Sequence, residues 1–192
     1  MKSLVVINAC VRQADSRTLR IAEPIIAALS ERYAVTRYNL PEMDIPPLNP
    51  ELFARRGVGE IPEWAQEAAR AIAGADCILI AAPFWDMSFP AVLKCFIEHT
   101  SLFDVTFTDN GKTCVGLCKA PKVLYITTRG MDIRTGDARE QATPYLKAIG
   151  SLWNLGEITT IAATNMDYIS SDEIDRKISQ AVSRGLQIAQ SF

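Results

Sequence analysis

The chain has 192 residues, enough for one domain with a sizeable hydrophobic core and short for two. Apolar residues make up 48% and charged residues 22%, which is ordinary for a globular protein. The formal net charge is −2 and the Lys and Arg residues are scattered, so the sequence predicts binding to neither nucleic acid nor a membrane surface. We therefore expect a single domain over residues 1–192.

The N-terminus and the cysteines bear on the compartment. The apolar run within Met1–Asn8 is too short to span a membrane or to form the apolar part of an export signal. The five cysteines include no CxxC pair, which favours reduced thiols in a cytoplasmic protein. Cys114 and Cys118 lie close together, but the single histidine, His99, adds little to them, so we expect no metal.

Five apolar segments alternate with helical patterns along the chain. These segments are predicted as strands at Leu4–Asn8, Ala34–Asn39, Cys77–Ala81, Lys122–Thr127 and Ile158–Ala163. Near-continuous apolar runs are typical of strands that helices cover on both faces. The alternation therefore predicts a doubly wound parallel sheet with right-handed crossovers.

The helical patterns carry recognisable start and stop signals. In the first predicted helix, Ser16 or Thr18 is the expected N-cap, and Pro24 should bend the helix or shift its start. A second helix is expected from Pro62 to Gly74, and the last begins at the capping box of residues 170–173.

Two segments exceed what such a scaffold needs. Residues 40–61 are rich in proline and apolar side chains, and a loop of that length is usually functional. Residues 101–116 contain Asn110-Gly111, a strong hairpin turn, and predict a β-ribbon before the fourth strand.

Ligands of open α/β sheets bind beyond the carboxyl ends of the strands. The loop after the first strand carries Arg12, Ser16, Arg17 and Thr18 next to a helix N-terminus, which suits a phosphate group. An ordinary polar loop with a helix cap explains the same residues equally well. The loop lacks both GxGxxG and GxxxxGK[ST], which disfavours direct dinucleotide binding and P-loop phosphoryl transfer.

The loops after the third and fourth strands have a different character. Residues 82–90 include Phe84, Trp85 and Phe89, which form either a hydrophobic plug or the bed of a flat aromatic ligand. In residues 127–131, Gly130 allows close approach of the backbone to a ligand, and Arg129 faces either a ligand charge or a surface carboxylate.

These motifs together resemble the FMN-dependent NAD(P)H oxidoreductases of the azoreductase and NAD(P)H:quinone oxidoreductase group. The similarity covers nearly the whole chain, and it is carried by Ala82–Met87 with Pro90–Lys94, Val105–Phe107 with Gly116–Lys119, Thr128–Gly130, and Thr143–Gly150. The resemblance implies a flavodoxin-like five-stranded parallel sheet in the order 2-1-3-4-5 with helices on both faces.

The resemblance also implies a function. FMN would be the cofactor, NADH or NADPH the electron donor, and quinones or azo- and nitro-aromatic compounds the acceptors in a two-electron hydride transfer. The implied cofactor-binding residues are Arg12, Ser16, Arg17, Thr18, Pro83, Phe84, Trp85, Asp86, Met87, Thr128, Arg129, Gly130 and Met131. The phosphate would lie at Ser16–Thr18, and the substrate pocket would contain Trp85 and Phe107.

Hydride transfer at flavin N5 requires no side-chain nucleophile, so no catalytic residue is assigned. Asp86 stands where the family commonly has Asn, and it points to solvent, is protonated or donates a proton to the acceptor. His99 is expected to be packed or at an interface rather than an acid or base. Its helix is apolar nearly all round, which together with the resemblance predicts a homodimer.

Two alternative functions remain open. A flavodoxin-like electron carrier would need a strongly acidic docking face, which a net charge of −2 does not supply. A non-catalytic flavin-binding or regulatory module would keep the fold without the reaction.

Overall fold

The computed structural model describes all residues, 1–192. The strands are β1 (Lys2–Asn8), β2 (Tyr33–Asn39), β3 (Cys77–Ala81), β4 (Phe107–Asp109), β5 (Cys114–Gly116), β6 (Lys122–Thr128) and β7 (Glu157–Ala163). The helices are α1 (Arg17–Ser30), α2 (Pro50–Gly57), α3 (Glu63–Gly74), α4 (Ala91–Thr100), α5 (Ala142–Trp153) and α6 (Ser171–Ala189). Short 3₁₀ turns lie at Gln13–Asp15 and Leu40–Glu42.

Five of the strands form one parallel sheet in the order β2-β1-β3-β6-β7. Strands β4 and β5 form a separate antiparallel hairpin, which lies between β3 and β6 in sequence. When only the strands of the main sheet are numbered, β6 and β7 are its fourth and fifth strands, and the observed order is the predicted 2-1-3-4-5. Every predicted strand overlaps an observed one, and the ends differ by at most two residues. The order changes direction between β1 and β3, where a doubly wound fold opens a crevice at the carboxyl edge.

Helices cover both faces of this sheet. Alternate strand residues point to opposite faces, so Leu4 and Val6 pack against α1 and α6, whereas Val5 and Ile7 pack against α3, α4 and α5. Burial on both faces explains why the strand sequences are almost continuously apolar.

The helix signals are largely confirmed. The backbone N–H of Leu19 donates to Ser16 Oγ at 3.3 Å, so Ser16 is the N-cap of α1, and the helix continues through Pro24. Ser170 caps α6 in the same way through the N–H of Glu173. None of the helices is both long and apolar enough to cross a bilayer.

The segment of residues 40–61 is more ordered than the predicted loop. It contains α2, whose N-cap is Asn49, and its side chains Met43 and Ile45 pack against the core between the sheet and α4. The carbonyl of Pro46 lies 2.8 Å from His99 Nε2, and the histidine is buried. This segment therefore covers the α3–α4 face, and His99 is a packed residue as expected.

Candidate functional site

Loops from the carboxyl ends of four strands surround one cavity of about 130 Å³. Nine predicted cofactor-binding residues line it: Arg12, Ser16, Arg17, Pro83, Phe84, Trp85, Thr128, Arg129 and Gly130. They come from the end of β6, the start of α1 and the loops after β1, β3 and β6, which meet because parallel strands end at the same edge of the sheet. The structure does not place Thr18, Asp86, Met87 or Met131 in the wall of this cavity.

One end of the cavity is suited to an anion. The backbone N–H groups of Arg17 and Thr18, the first two of α1, have no hydrogen-bond partner. The guanidinium of Arg12 is exposed and forms no ion pair. Unpaired amides at a helix N-terminus beside two arginines favour a negatively charged group.

The hydroxyl of Thr18 is engaged elsewhere. Its Oγ1 lies 2.7 Å from Thr128 Oγ1, and both side chains are buried. This contact ties the start of α1 to the end of β6, which explains why the Thr18 side chain points away from the cavity wall. Thr18 therefore contributes its free backbone amide to this edge, while its side chain fixes the relative position of two loops.

The other end of the cavity is aromatic. Phe84 is buried, and its backbone N–H donates to the carbonyl of Thr128 at 3.0 Å. Trp85 is 40% exposed, which leaves much of its indole surface free for a ligand. Phe84 and Trp85 together give this end an apolar surface next to the carboxyl ends of the strands.

The turn that follows is strained. Trp85 and Ser88 exchange two backbone hydrogen bonds of 3.0 and 2.8 Å, and the two residues between them, Asp86 and Met87, have φ values of +48° and +66°. Positive φ at both central residues is the pattern of a type I′ turn, which favours Gly, Asn and Asp, so Asp86 suits its position and the cost of about 1–2 kcal/mol falls on Met87. The N–H groups of Asp86 and Met87 have no partner, so they are free to donate to a ligand.

Trp85 also lines a second cavity, of about 500 Å³. The lining side chains are mostly apolar, among them Val11, Phe89 and Val92. Asp86 also lines this cavity; it is exposed, and its carboxylate has no hydrogen-bond partner. The indole of Trp85 is thus common to both cavities.

Arg129 differs from its expected role as a group that faces a ligand or a surface carboxylate. Its guanidinium is fully buried and donates to the Ile133 carbonyl and to Thr135 Oγ1, both at 3.0 Å. It lies 3.7 Å from the equally buried carboxylate of Glu140 and 5.3 Å from the centre of the Phe84 ring. Burial lowers the pKa of Arg129. Arg129 therefore stabilises the loop that carries Phe84 from its buried side, through the contact of its guanidinium with the Phe84 ring.

The loop after β7 adds two residues that sequence reasoning missed, Met166 and Asp167. Arg17 Nη1 donates to the Met166 carbonyl at 2.8 Å and to Asp167 Oδ1 at 2.7 Å. Gly130 lies directly against this carboxylate, since a Cβ on Gly130 would be 2.0 Å from Asp167 Oδ2. The sequence offered one signal for these two residues: their loop follows the fifth predicted strand and therefore leaves the parallel sheet at its carboxyl edge.

Phe107 lies far from the cavity within one chain. It belongs to the β4–β5 hairpin, whose Gly116 packs against the backbone of Trp153 and Asn154 at the end of α5. That end of α5 precedes the start of β7 and therefore marks the amino edge of the sheet, opposite the cavity. The expectation that Phe107 lines the substrate pocket is thus not met by one copy of the chain.

The chain resembles a known family and several named proteins over about half of its length or more. The sequence model of one family, described as having a flavodoxin-like fold, matches residues 2–187. The FMN-dependent NADH:quinone oxidoreductase 2 of Clostridium acetobutylicum is 36% identical over 102 residues, and this alignment covers 52% of the chain and 51% of that protein. The chain thus spans about half the length of that relative, whereas the FMN-dependent NADH:quinone oxidoreductase of Coprothermobacter proteolyticus aligns over 93% of the chain and 92% of its own length at 26% identity.

Solved structures agree on the fold. An azoreductase from Bacillus anthracis superposes with a TM-score of 0.84 and covers all of both chains at 18% identity. An FMN-dependent NADH-azoreductase from the same species, in complex with FMN, has a TM-score of 0.82, an identity of 18% and a coverage of 98% of this chain and 100% of its own. The match over residues 2–187 shows that the chain belongs to the family of proteins with a flavodoxin-like fold.

Proposed function

We propose that the protein is an FMN-dependent NAD(P)H oxidoreductase that reduces quinones or azo- and nitro-aromatic compounds. One observation carries the proposal: loops far apart in sequence form a single cavity whose lining combines arginine side chains with aromatic ones. That pairing matches a ligand with a phosphate at one end and a flat heteroaromatic ring at the other. The names of the relatives support the same cofactor and reaction.

The donor set fits FMN. The phosphate would be held by Arg12, Arg17, Ser16 and the two free amides of α1. The ring would lie against Phe84 and Trp85, and the free amides of the strained turn would donate to its heteroatoms. Thr128, Gly130 and Met131 would border its other edge.

The protein's contribution is position and electrostatics. FMN, when bound, supplies reversible two-electron chemistry, for which no side-chain nucleophile is needed. Trp85 and the apolar second cavity would hold an aromatic acceptor and exclude water from it. Since a position beside the ring orients the acceptor, proximity contributes on the order of several kcal/mol to the rate.

Asp86 is proposed to be a solvated charge at the mouth of this cavity, because its carboxylate is exposed and forms no hydrogen bond. The competing role is proton donation to the acceptor. In an Asp86→Asn variant we expect an unchanged pH dependence of kcat/KM. Loss of one limb of the profile would assign the proton to Asp86.

We also propose a homodimer, in which a second copy supplies Phe107 to the substrate pocket. The hairpin region that holds Phe107 exposes the apolar side chains Phe103, Val115 and Leu117, which a partner would cover. Light scattering coupled to gel filtration measures the mass. In a Phe107→Ala dimer, the KM for the acceptor should rise while the affinity for FMN stays unchanged.

The deciding experiment is reconstitution. The purified protein is incubated with FMN, freed of unbound flavin and examined by absorbance, and the flavin is then released and identified. We expect one FMN per chain and NAD(P)H oxidation that depends on added quinone. Bound FMN without this oxidation would favour an electron carrier or a non-catalytic flavin-binding module, and a colourless protein would leave only a regulatory module without the cofactor.

A further inference from the structure

The anion-binding end of the cavity already contains an anion. Arg17 Nη1 makes two hydrogen bonds, to the Met166 carbonyl and to Asp167 Oδ1. The Asp167 carboxylate lines the same cavity as Arg12 and Ser16. It is therefore placed where the proposed function puts the phosphate of FMN.

The position of this carboxylate is built into the fold. The backbone N–H of Asp167 donates to the Gly130 carbonyl at 3.2 Å, and that of Met166 donates to the Arg129 carbonyl at 3.1 Å. The absence of a Cβ at Gly130 leaves the space that Asp167 Oδ2 occupies. Two backbone hydrogen bonds and one glycine thus hold Asp167 against the cavity.

The ion pair itself is open to exchange. The side chains of Arg17 and Asp167 are 32% and 61% exposed, and exposed pairs contribute about 0–1 kcal/mol. A phosphate with two charges would displace the carboxylate from Arg17. The carboxylate stays tethered nearby, however, and like charges at short range repel each other.

We propose that Asp167 is an internal competitor for the phosphate of FMN, and that it lowers the affinity of the site for FMN. The inference rests on the proposed function, since it assigns the phosphate to Arg17. It predicts a larger effect on FMN than on a flavin without the phosphate, because the carboxylate pairs with Arg17, although it also lies against Gly130 beside the proposed ring.

The test compares FMN with riboflavin, which lacks the phosphate, by titration of flavin fluorescence. In Asp167→Asn, the Kd for FMN should fall about tenfold, while the Kd for riboflavin should change by less than about twofold. The matched control is Asp175→Asn. Asp175 pairs with Arg20 at the same 2.7 Å, it is also 61% exposed, and neither residue lines the cavity. The control removes the same charge and should leave the ratio of the two Kd values within about twofold of the wild-type ratio.

Two results would overturn the proposal. Weaker FMN binding in Asp167→Asn would show that Asp167 positions Arg17 for the ligand, and an unchanged ratio would show that it does not act on the phosphate. Titration with inorganic phosphate separates this inference from the proposed function. If the wild-type protein binds no flavin, the proposed function fails, whereas tighter phosphate binding by Asp167→Asn would still support competition and unchanged or weaker binding would refute it.

Discussion

The carboxyl and amino edges of the parallel sheet differ in how their backbone groups are used. At the carboxyl edge, the N–H groups of Arg17, Thr18, Asp86 and Met87 have no protein partner. At the amino edge, backbone segments pack and bond closely: the N–H of Gly156 donates to the Ala120 carbonyl at 2.9 Å, among similar bonds there. The amino edge closes the fold, whereas the carboxyl edge keeps donors for a ligand.

The largest effect is expected beneath the carboxyl edge, at the buried pair of Glu140 and Arg129. In Glu140→Ala, the free energy of unfolding should fall by about 3–5 kcal/mol, because a fully buried guanidinium loses its counter-charge. Urea denaturation measures the loss. The control Glu60→Ala breaks an exposed pair with Arg55 and should cost less than about 1 kcal/mol. Equal losses in the two variants would contradict a buried pair.

The amino edge is tested by Gly156→Ala. The new Cβ would lie 2.0 Å from the Pro121 carbonyl oxygen, so the backbone must shift, and we expect a loss of about 1–3 kcal/mol in urea denaturation. Flavin affinity per folded molecule should not change. At Gly74 a Cβ would meet nothing within 4 Å, so Gly74→Ala should be neutral or stabilising by up to about 1 kcal/mol. An unaffected Gly156→Ala protein would show that the amino edge is not tightly closed.

The two ends of the cavity sharpen the comparison within the carboxyl edge. Trp85→Ala removes aromatic surface and should weaken FMN and riboflavin by the same factor, roughly tenfold if stacking contributes about 1–3 kcal/mol. Arg17→Ala should weaken FMN and leave riboflavin unchanged. Isothermal titration calorimetry measures the Kd of each variant for each flavin, for comparison with the wild-type values. The opposite pattern would reverse the orientation of the ligand.

The sequence predicted the parts that depend on local patterns. Apolar runs located the strands, Ser16 and Ser170 were recognisable caps, and Asn110-Gly111 marked the hairpin. Strand order came from family resemblance rather than from periodicity. The carboxyl-edge rule then brought together most of the cavity residues, since it requires only that the strands be parallel.

What the sequence missed depends on contacts between distant residues. Asp167 pairs with Arg17 across 150 positions, and nothing local distinguishes it from other surface acids. Likewise, Arg129 turns inward because Glu140 is buried beside it, whereas its sequence context suggested an exposed loop. The sequence also does not show to which edge of the sheet the hairpin folds, so the distance of Phe107 from the cavity of its own chain could not be predicted.

The smallest effect concerns the strained turn. Met87 has a φ of +66°, which is unfavourable for a residue with a side chain but not for glycine. In Met87→Gly, the free energy of unfolding should therefore rise by about 0.5–1 kcal/mol. Met131→Gly is the control, because Met131 is exposed to a similar extent, 39% against 37%, and has no positive φ. Thermal denaturation compares the two. A Met87→Gly protein that is less stable than wild type would argue against strain in this turn.

The most direct test of the proposed site is a crystal structure of the protein with FMN. We expect the phosphate within hydrogen-bond distance of the amides of Arg17 and Thr18, and the ring against Phe84 and Trp85. The Arg17–Asp167 contact should be broken in that complex. Flavin bound at another surface, or no flavin density from crystals grown with excess FMN, would contradict a cofactor site at the carboxyl edge.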